Sequence, residues 1–240
     1  IHTPYGATEA LPVASKSSQE VLNETQEKTD VGAGVCVGKR FGEIDWKVVR
    51  IVDGPVRTIS ETEEEPPGTI GELIVTGPVV TDQYVTRIES NMLSKIADGA
   101  RVWHRMGDVG YLDEAQRFWF CGRMSHRIQA ATKTLYTVPC ESIFNTHPAV
   151  YRSALIGIGR PGAQRPLLVV EPFQYPDSSQ KTTTLLCELQ EIGQQNDRTR
   201  SIQDFLLHRS LPVDIRHNAK IFREKLVPWA EKRCGKRTAR

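Results

Sequence analysis

The chain has 240 residues, 39% of them hydrophobic, which is enough to bury the core of one large domain or two smaller ones. Lys and Arg number 31 against 29 Asp and Glu, so the formal charge of +2 favours neither nucleic acid nor an anionic membrane as a partner. No apolar run approaches the roughly 18 to 20 residues of a transmembrane segment. The five cysteines are scattered without zinc-ligand spacing, which indicates reduced thiols in a cytoplasmic protein.

The first half of the chain is predicted to be rich in strands. β-Branched residues with a rough period of two predict strands over residues 46–52 and 71–76, and the acidic segment between them is predicted to be a solvated loop. From residue 84 to 96 apolar residues recur at helical spacing, which predicts a short amphipathic helix. Three more strands follow, of which the last two are predicted to form a hairpin. They cover residues 102–104, 109–112 and 117–121.

The pattern changes after residue 122, where short strands and helices begin to alternate. We therefore predict an α/β fold followed by a smaller α+β unit, with residues 1–123 in the first domain and 124–240 in the second. The elements predicted for the second domain are a strand at 128–130, a helix from about Pro139, apolar strands at 153–158 and 167–170, helices at 183–194 and 201–208, a polar loop at 214–219, and a last helix from about Arg223.

A pentapeptide near the start of the chain carries groups that suit a nucleotide. Its sequence is Tyr5-Gly6-Ala7-Thr8-Glu9. The aromatic ring can lie against a base, the hydroxyl can donate to a phosphate oxygen, and the carboxylate can hold Mg²⁺. The same residues fit a strand-to-loop turn with a capping threonine, so the pentapeptide alone leaves both interpretations open.

Two later residues lie at the ends of predicted strands. Asp108, after Gly107, can accept hydrogen bonds from both vicinal hydroxyls of a ribose. Arg123, fifteen residues later at the predicted domain boundary, can reach a ribose or a phosphate. Taken singly, each segment is more simply explained by structure, as an ordinary Gly-Asp turn and as a surface arginine that closes a hairpin.

The polar segment 214–219 places one lysine, Lys220, just before the last predicted helix. An ammonium group on a mobile loop can be brought to a carboxylate and a phosphate when negative charge develops there. The alternative is a solvated lysine with no chemical role.

Together and in this order, these segments resemble the adenylate-forming superfamily of acyl-CoA synthetases, luciferases and peptide-synthetase adenylation domains. The family pattern is Tyr-Gly-x-Thr-Glu, Gly-Glu-Leu, Gly-Asp, Gly-Arg and a late Asn-x-Lys. It matches residues 5–9, 71–73, 107–108, 122–123 and 218–220.

The resemblance implies a role for each matched residue. Tyr5 would stack on adenine, with Gly6 and Ala7 beside the nucleotide, and Thr8 would bind phosphate. Glu9 would hold Mg²⁺. Asp108 and Arg123 would bind the ribose of ATP, and Lys220 would be the adenylation lysine. The resemblance also implies that the first unit is the end of a large strand-rich domain with a distorted barrel, and that the second is a small mobile domain rotating about a hinge near Arg123.

Three segments of the sequence are most similar, among members of the superfamily, to the olefin β-lactone synthetases. They are residues 2–13, 121–126 and 216–225. Such enzymes adenylate a long-chain β-hydroxy acid, close it to a β-lactone, and work beside a β-lactone decarboxylase and a reductase in hydrocarbon synthesis. Met124-Ser125 stands where acyl-CoA synthetases usually carry an aspartate, and residues 130–136 depart from their thioester-forming segment. A β-lactone product is therefore expected. An acyl-CoA ligase, an acyl-AMP ligase and a noncatalytic module remain alternatives.

One family feature is absent from the sequence. The Ser/Thr/Gly-rich phosphate loop that the family places upstream of Tyr5 does not occur, so we expect the chain to be part of a longer polypeptide. The group that accepts the hydroxyl proton is also not indicated. His126 and His217 lie near the expected hinge and the lysine segment, but a structural or solvent-facing role is expected for each.

Overall fold

The computed structural model describes the backbone of residues 1–214 and 217–237, and the side chains of residues 1–214 and 220–234. The chain divides into two compact units. The first contains residues 1–29 and 33–125, and the second contains residues 30–32 and 126–240. This division falls two residues beyond the boundary predicted after residue 123. The assignment of the units to a large and a small mobile domain remains a proposal.

The first unit is built on one open sheet. Its strand order is β1-β2-β3-β8-β7-β5-β4, and β6 pairs with β7 outside that path. All of these pairings are antiparallel. The strands are β1 (His2–Ala7), β2 (Ala10–Ser17), β3 (Val35–Arg40), β4 (Asp45–Val49), β5 (Gly71–Thr76), β6 (Lys95–Asp98), β7 (Arg101–Leu112) and β8 (Phe118–Arg123).

Helical segments of the first unit are short. After β2 the chain makes an α-helical turn, a π-helical turn and a second short helix, and a 3-10 helix and a further α-helix precede β6. These are α1 (Ser18–Glu20), the π-helix Val21–Thr25, α2 (Gln26–Asp30), the 3-10 helix Ile59–Glu61 and α3 (Ile88–Ser94).

The predicted strands over residues 46–52 and 71–76 and the predicted hairpin are confirmed, with small shifts of their ends. The strands predicted at 102–104 and 109–112 are parts of the single strand β7. Buried side chains from β2, β4, β5, β7 and β8 form the core beneath this sheet, which includes Trp46, Leu73 and Phe118.

Two expectations for the first unit were wrong. The helix predicted over residues 84–96 is confined to Ile88–Ser94, because the next four residues pair with β7 and bury Ile96. The expected barrel is an open sheet, since no pairing joins β1 to β4 among the described residues. The outer edge of β4 is occupied instead by the acidic segment. The backbone amide of Arg50 donates to the carbonyl of Glu63 and that of Glu65 to the carbonyl of Val48.

The second unit is an α+β fold around a three-stranded sheet in the order β11-β12-β13. The first two strands pair antiparallel, whereas β12 and β13 are parallel. Its elements are the 3-10 helix Met124–His126 at the boundary, β9 (Ile128–Gln129), β10 (Thr134–Leu135), α4 (Thr137–Phe144), β11 (Val150–Ile158), β12 (Arg165–Pro172), α5 (Ser179–Gln194), β13 (Asp204–Leu207), β14 (Val213–Asp214), β15 (His217–Ile221) and α6 (Arg223–Arg237).

Both faces of this sheet are covered by helices. Successive residues of a strand point to opposite faces, so each strand contacts both layers. Leu155 and Leu168 pack with buried residues of α4 and α5. Their neighbours Ile156 and Leu167 pack with Leu226 and other residues of α6. Strands buried on both faces read as continuous apolar runs in the sequence, which explains why residues 153–158 and 167–170 were predicted correctly.

Two predictions for the second unit were wrong. Residues 201–208 do not form a helix but contain β13, which lies parallel to β12 and buries Phe205 against the core. In the predicted loop 214–219, Asp214 and residues 217–219 belong to paired strands instead, since Val213 pairs with Ile221 and Asp214 with His217, while residues 215 and 216 lie outside the described residues. Among the helices in the described parts of the chain, none is long and apolar enough to cross a membrane.

Candidate functional site

The pentapeptide of residues 5–9 lies where β1 turns into β2. Ala7 pairs with Ala10, so Thr8 and Glu9 form the tip of a tight hairpin. A side chain at Gly6 would bring its Cβ within 2.4 Å of the carbonyl oxygen of Ala10, and the register of the hairpin shifts at this point. Glycine is therefore needed for the two strands to approach each other. Thr8 is exposed at the tip.

The carboxylate of Asp108 joins three distant parts of the chain. The hydroxyl of Tyr5 donates to its Oδ2 at 2.6 Å, and Nη1 of Arg123 donates to its Oδ1 at 2.5 Å. The same Nη1 also donates to the carbonyl of Met106 at 3.1 Å. Asp108 and Arg123 lie directly opposite each other on β7 and β8. Gly107 precedes Asp108 with a φ of +64°, a conformation that favours glycine.

Burial controls the protonation of this group. Asp108 is 4% exposed, and removal from water raises the pKa of its carboxyl although the charge of Arg123 and the hydrogen bond from Tyr5 oppose the shift. Burial and the neighbouring Asp108 also raise the pKa of the Tyr5 hydroxyl well above its ordinary value, so it stays a donor. The Arg123 side chain is half exposed. Each carboxylate oxygen has a second lone pair, so Asp108 can still accept hydrogen bonds from a bound diol.

The ring of Tyr5 belongs partly to the core. It packs against Phe118 with ring centroids 5.9 Å apart and planes tilted by 38°. The ring is thus held at one side by the core and at its hydroxyl by Asp108. Such a ring is a rigid surface, which suits stacking on a flat ligand.

Glu9 belongs to a second polar group. Its Oε1 accepts a hydrogen bond of 2.7 Å from the hydroxyl of Tyr84, and its carbonyl accepts one of 2.9 Å from the amide of Thr81. Partial desolvation raises the pKa of Glu9, but the hydrogen bonds from Tyr84 and from its own backbone amide, together with the charge of Lys95, lower it by more. The net effect lowers the pKa, so the carboxylate is ionised at neutral pH.

Lys95 and His104 lie opposite each other on β6 and β7 beside Glu9. Nζ of Lys95 donates to the carbonyl of Thr81 and to its hydroxyl, the latter at 3.1 Å. Nδ1 of His104 is 3.1 Å from the carbonyl of Ser94. Burial and then the charge of Lys95 lower the pKa of His104 to about 4, so its ring is neutral at physiological pH and donates to that carbonyl.

Glu9 fits the needs of Mg²⁺ as an oxygen ligand. Mg²⁺ commonly takes one or two carboxylates and completes its shell with water and phosphate. Oε1 of Glu9 is held by Tyr84, while no hydrogen bond from another residue reaches Oε2 in the described part of the chain. The described residues contain no cluster of three or more His, Cys, Asp or Glu that could hold a metal without a substrate.

Lys220 lies on β15 in the second unit, and its side chain is exposed. Three residues later a buried ion pair fixes the start of α6. Nη2 of Arg223 donates to both carboxylate oxygens of Glu141 on α4, at 2.6 and 2.8 Å. Oε1 of Glu141 also accepts a 2.7 Å hydrogen bond from the amide of Leu155. The strand that carries the lysine therefore ends at a firmly bonded point.

Close relatives extend along almost the whole chain. The sequence is 45% identical over 233 residues, 95% of the chain, to an olefin beta-lactone synthetase of Xanthomonas campestris pv. campestris. The chain is a relative of the olefin beta-lactone synthetases. A second one, from Stenotrophomonas maltophilia, is 43% identical over an alignment that covers 98% of the chain. The chain spans 42–43% of the length of these two synthetases. No protein-family model matches it.

Solved structures share the fold of this synthetase relative. The amide bond synthetase McbA from Marinactinospora thermotolerans matches 95% of the chain with 42% of its own, at a TM-score of 0.71 and 20% identity. The o-succinylbenzoate CoA synthetase from Bacillus subtilis, in complex with its acyl-adenylate intermediate, matches 94% of the chain with 40% of its own, at a TM-score of 0.67 and 23% identity. At these identities the likeness shows the fold alone.

Of the residues predicted from the sequence, the structure brings Tyr5, Asp108 and Arg123 into one bonded group. Glu9 and the exposed Thr8 follow Tyr5 at the hairpin tip, and Lys220 lies in the other unit. Their roles toward a ligand remain predictions. The side chain of His217 lies outside the described residues. Sequence reasoning missed three residues around Glu9, which are Tyr84, Lys95 and His104. A strand predicted over residues 95–98, paired with the strand that contains His104, would have placed Lys95 and His104 beside each other.

Proposed function

We propose that the chain is the carboxy-terminal part of an ATP-dependent enzyme that adenylates a long-chain β-hydroxy acid and closes it to a β-lactone, releasing AMP and pyrophosphate. The similarity to olefin beta-lactone synthetases over 95% of the chain carries this proposal. The buried carboxylate of Asp108 supports it independently, because a hydroxyl donor and a half-exposed arginine both bond to it.

ATP would bind on the first unit. The diol of the ribose would donate to Asp108 and accept from Arg123, and adenine would stack on the ring of Tyr5 beside Gly6 and Ala7. The hydroxyl of Thr8 at the exposed hairpin tip would donate to a phosphate oxygen. An o-succinylbenzoate CoA synthetase from Bacillus subtilis has been solved with ATP and a magnesium ion, which supports the same cofactors here.

Glu9 would hold the Mg²⁺ that accompanies ATP, through its Oε2. When bound, the ion neutralises charge on the phosphates and so favours attack on them. The contribution of the chain is to keep the carboxylate ionised and correctly turned. The hydrogen bond from Tyr84 would orient the carboxylate, and this bond and the nearby positive charge of Lys95 both lower its pKa.

Lys220 would stabilise the adenylation step. The carboxylate of the substrate attacks the α-phosphorus of ATP, a bond forms between them, and pyrophosphate leaves. Negative charge grows on the phosphorus oxygens, and an ammonium group brought to them lowers the barrier. The exposure of Lys220 on a two-stranded hairpin suits a group that must be delivered by movement of a small domain about a hinge.

Lactone closure would follow without a thiol. The β-hydroxyl of the same substrate attacks its activated carbonyl, loses its proton, and expels AMP, which closes a four-membered ring. Holding the hydroxyl beside the carbonyl supplies rate through proximity. The departures at Met124-Ser125 and at residues 130–136 from the usual thioester-forming segments favour this outcome over a CoA ester.

The test is product analysis by mass spectrometry. The 240-residue chain is joined to the upstream portion of the Xanthomonas synthetase that it does not cover, and a β-hydroxy fatty acid and Mg·ATP are added without CoA. A lactone and AMP are expected. Accumulated acyl-AMP that is released only when another acceptor is added would contradict the lactone reaction, and failure to form any adenylate would contradict the proposed function as a whole.

A CoA ligase is the second candidate. Over 95 residues, 39% of the chain, the sequence is 33% identical to a 4-chlorobenzoate–CoA ligase of Arthrobacter sp.. Adding CoA to the same reaction separates the two, because a ligase would yield an acyl-CoA while a lactone synthetase would give the same lactone. A β-lactone decarboxylase and a reductase as partners, and a cytoplasmic location, are also part of the proposal.

A further inference from the structure

The backbone of Tyr84 is held in place by two hydrogen bonds to the side chain of Asn91. Its amide donates to Oδ1 of Asn91 at 2.7 Å, and Nδ2 of Asn91 donates to its carbonyl at 3.3 Å. Asn91 lies on α3, so a residue in a loop is fixed to a helix by both of its main-chain polar groups. A side chain on such a fixed backbone keeps a defined position.

The Tyr84 hydroxyl reaches across 75 residues of sequence to Oε1 of Glu9, at 2.7 Å. The terminal torsion of a glutamate is broad, so the side-chain torsions alone define the orientation of its carboxylate only weakly. Donation to Oε1 restricts rotation of the carboxylate and, within the described part of the chain, leaves Oε2 without a hydrogen bond from another residue. The amide of Thr81 fixes the backbone of Glu9 in the same way.

Lys95 adds a charge to this arrangement without occupying the carboxylate. Its ammonium group is bonded to the carbonyl and hydroxyl of Thr81, and it lies 5.7 Å from the centroid of the Tyr84 ring. The amine is thus kept beside Glu9 but bonded elsewhere, which leaves the second oxygen of Glu9 open to a cation.

We propose that Tyr84, clamped by Asn91, is a positioning residue that presents Oε2 of Glu9 to the divalent cation accompanying ATP. This inference rests on the proposed function, in which Glu9 is the metal ligand. Groups that hydrogen-bond a metal ligand orient it and tune its affinity, and their loss typically weakens metal binding about 10- to 100-fold.

The test compares ATP binding with and without the metal. Calorimetric titration of ATP into the chain joined to the upstream portion of the Xanthomonas synthetase gives one dissociation constant with Mg²⁺ and one with EDTA. Tyr84→Phe removes only the hydroxyl. We expect it to reduce the gain in ATP affinity due to Mg²⁺ by about 10-fold or more, while the affinity measured in EDTA stays as in the unchanged protein.

Two further variants make the result specific. Tyr151→Phe removes the hydroxyl of an exposed tyrosine in the second unit and should change neither constant. Asn91→Ala frees the backbone of residue 84 but leaves its hydroxyl, and should give an intermediate loss. Thermal melts of all variants identify any that fail to fold.

The outcomes separate the two levels of the proposal. If the unchanged protein gains no ATP affinity from Mg²⁺, or Glu9→Gln keeps that gain, the assignment of Glu9 fails and the inference fails with it. If Glu9→Gln loses the gain but Tyr84→Phe keeps all of it, Glu9 stands and the positioning role of Tyr84 is overturned. Equal losses of ATP affinity in Mg²⁺ and in EDTA for Tyr84→Phe would also overturn it, because they would show a general structural effect.

Discussion

In the first unit the candidate side chains hydrogen-bond to one another. In the second unit the side chain of the candidate lysine is exposed, and the strand that carries it is followed by a buried ion pair. Tyr5 and Arg123 share the carboxylate of Asp108. Lys220 projects from a two-stranded hairpin, and the nearest fixed point described is the ion pair that begins at Arg223. The first arrangement is preorganised for binding, and the second leaves an ammonium group free to approach charge as it develops.

The largest expected effect removes the fixed point of the second unit. Glu141→Ala leaves Arg223 and the amide of Leu155 buried without their acceptor, so we expect the free energy of unfolding to fall by about 3 to 5 kcal/mol. Denaturant unfolding measures this loss. The double variant Glu141→Leu, Arg223→Met replaces the pair with apolar groups and should recover most of the stability. A single variant as stable as the original would show that the ion pair does not anchor the hairpin.

The next effect concerns the exposed lysine itself. Lys220→Ala should slow adenylation about 100- to 1,000-fold, the range for losing one group that stabilises a developing charge. ATP affinity and thermal stability should hardly change, since the side chain is exposed. Pyrophosphate exchange gives the rate. Lys232→Ala, an exposed lysine on α6, serves as control. A large loss of ATP affinity in Lys220→Ala would remove the contrast between the two regions.

A somewhat smaller effect is expected at the mutually bonded site. Asp108→Ala deprives Tyr5 and Arg123 of their acceptor and ATP of two hydrogen bonds, so ATP affinity should fall by about 2 to 3 kcal/mol, roughly 30- to 150-fold. Calorimetry measures the affinity. Asp108→Asn keeps the shape and one acceptor oxygen, and should lose less. An unchanged dissociation constant in Asp108→Ala would place the nucleotide elsewhere.

The smallest effect is a dependence of stability on pH. The folded pKa of His104 is about 4, below its ordinary value of 6.5, so the unfolded chain binds a proton more readily and stability falls as pH falls. Between pH 7 and 5.5 this residue should remove about 1 kcal/mol. Urea unfolding at the two values measures it. His104→Asn, which keeps a donor for the carbonyl of Ser94, should lose that part of the dependence, and an equal dependence in the variant would contradict the assignment.

Local pattern was enough for much of this fold. The alternation in β4, β5 and β8 and the apolar runs of β11 and β12 are determined by which faces are buried, and burial leaves a period in the sequence. The failures occurred where pairing with a distant strand decided the structure. Residues 95 and 96 fall in the predicted helical spacing, yet residues 95–98 pair with β7, and residues 204–207 pair with strand residues 37 positions earlier.

The candidate site was predictable only in part for a similar reason. Asp108 and Arg123 could be named from their place at the ends of predicted strands, but the hydrogen bond from Tyr5 to Asp108 is a contact that spans 103 residues. Tyr84 carried no signal at all, because nothing in its neighbourhood indicates a carboxylate 75 residues away. Resemblance to a family supplied the order of the motifs, and only the structure supplied the second group around Glu9.

The acidic segment beside β4 has a consequence for the behaviour of the protein in solution. An open sheet offers unpaired amides and carbonyls at its margin, and such margins recruit strands from other molecules into aggregates. Here the amide of Arg50 and the carbonyl of Val48 are hydrogen-bonded to the backbone of Glu63 and Glu65, and several carboxylates of the segment face the solvent. A segment without any apparent chemistry thus helps to keep separate copies of the chain from joining edge to edge.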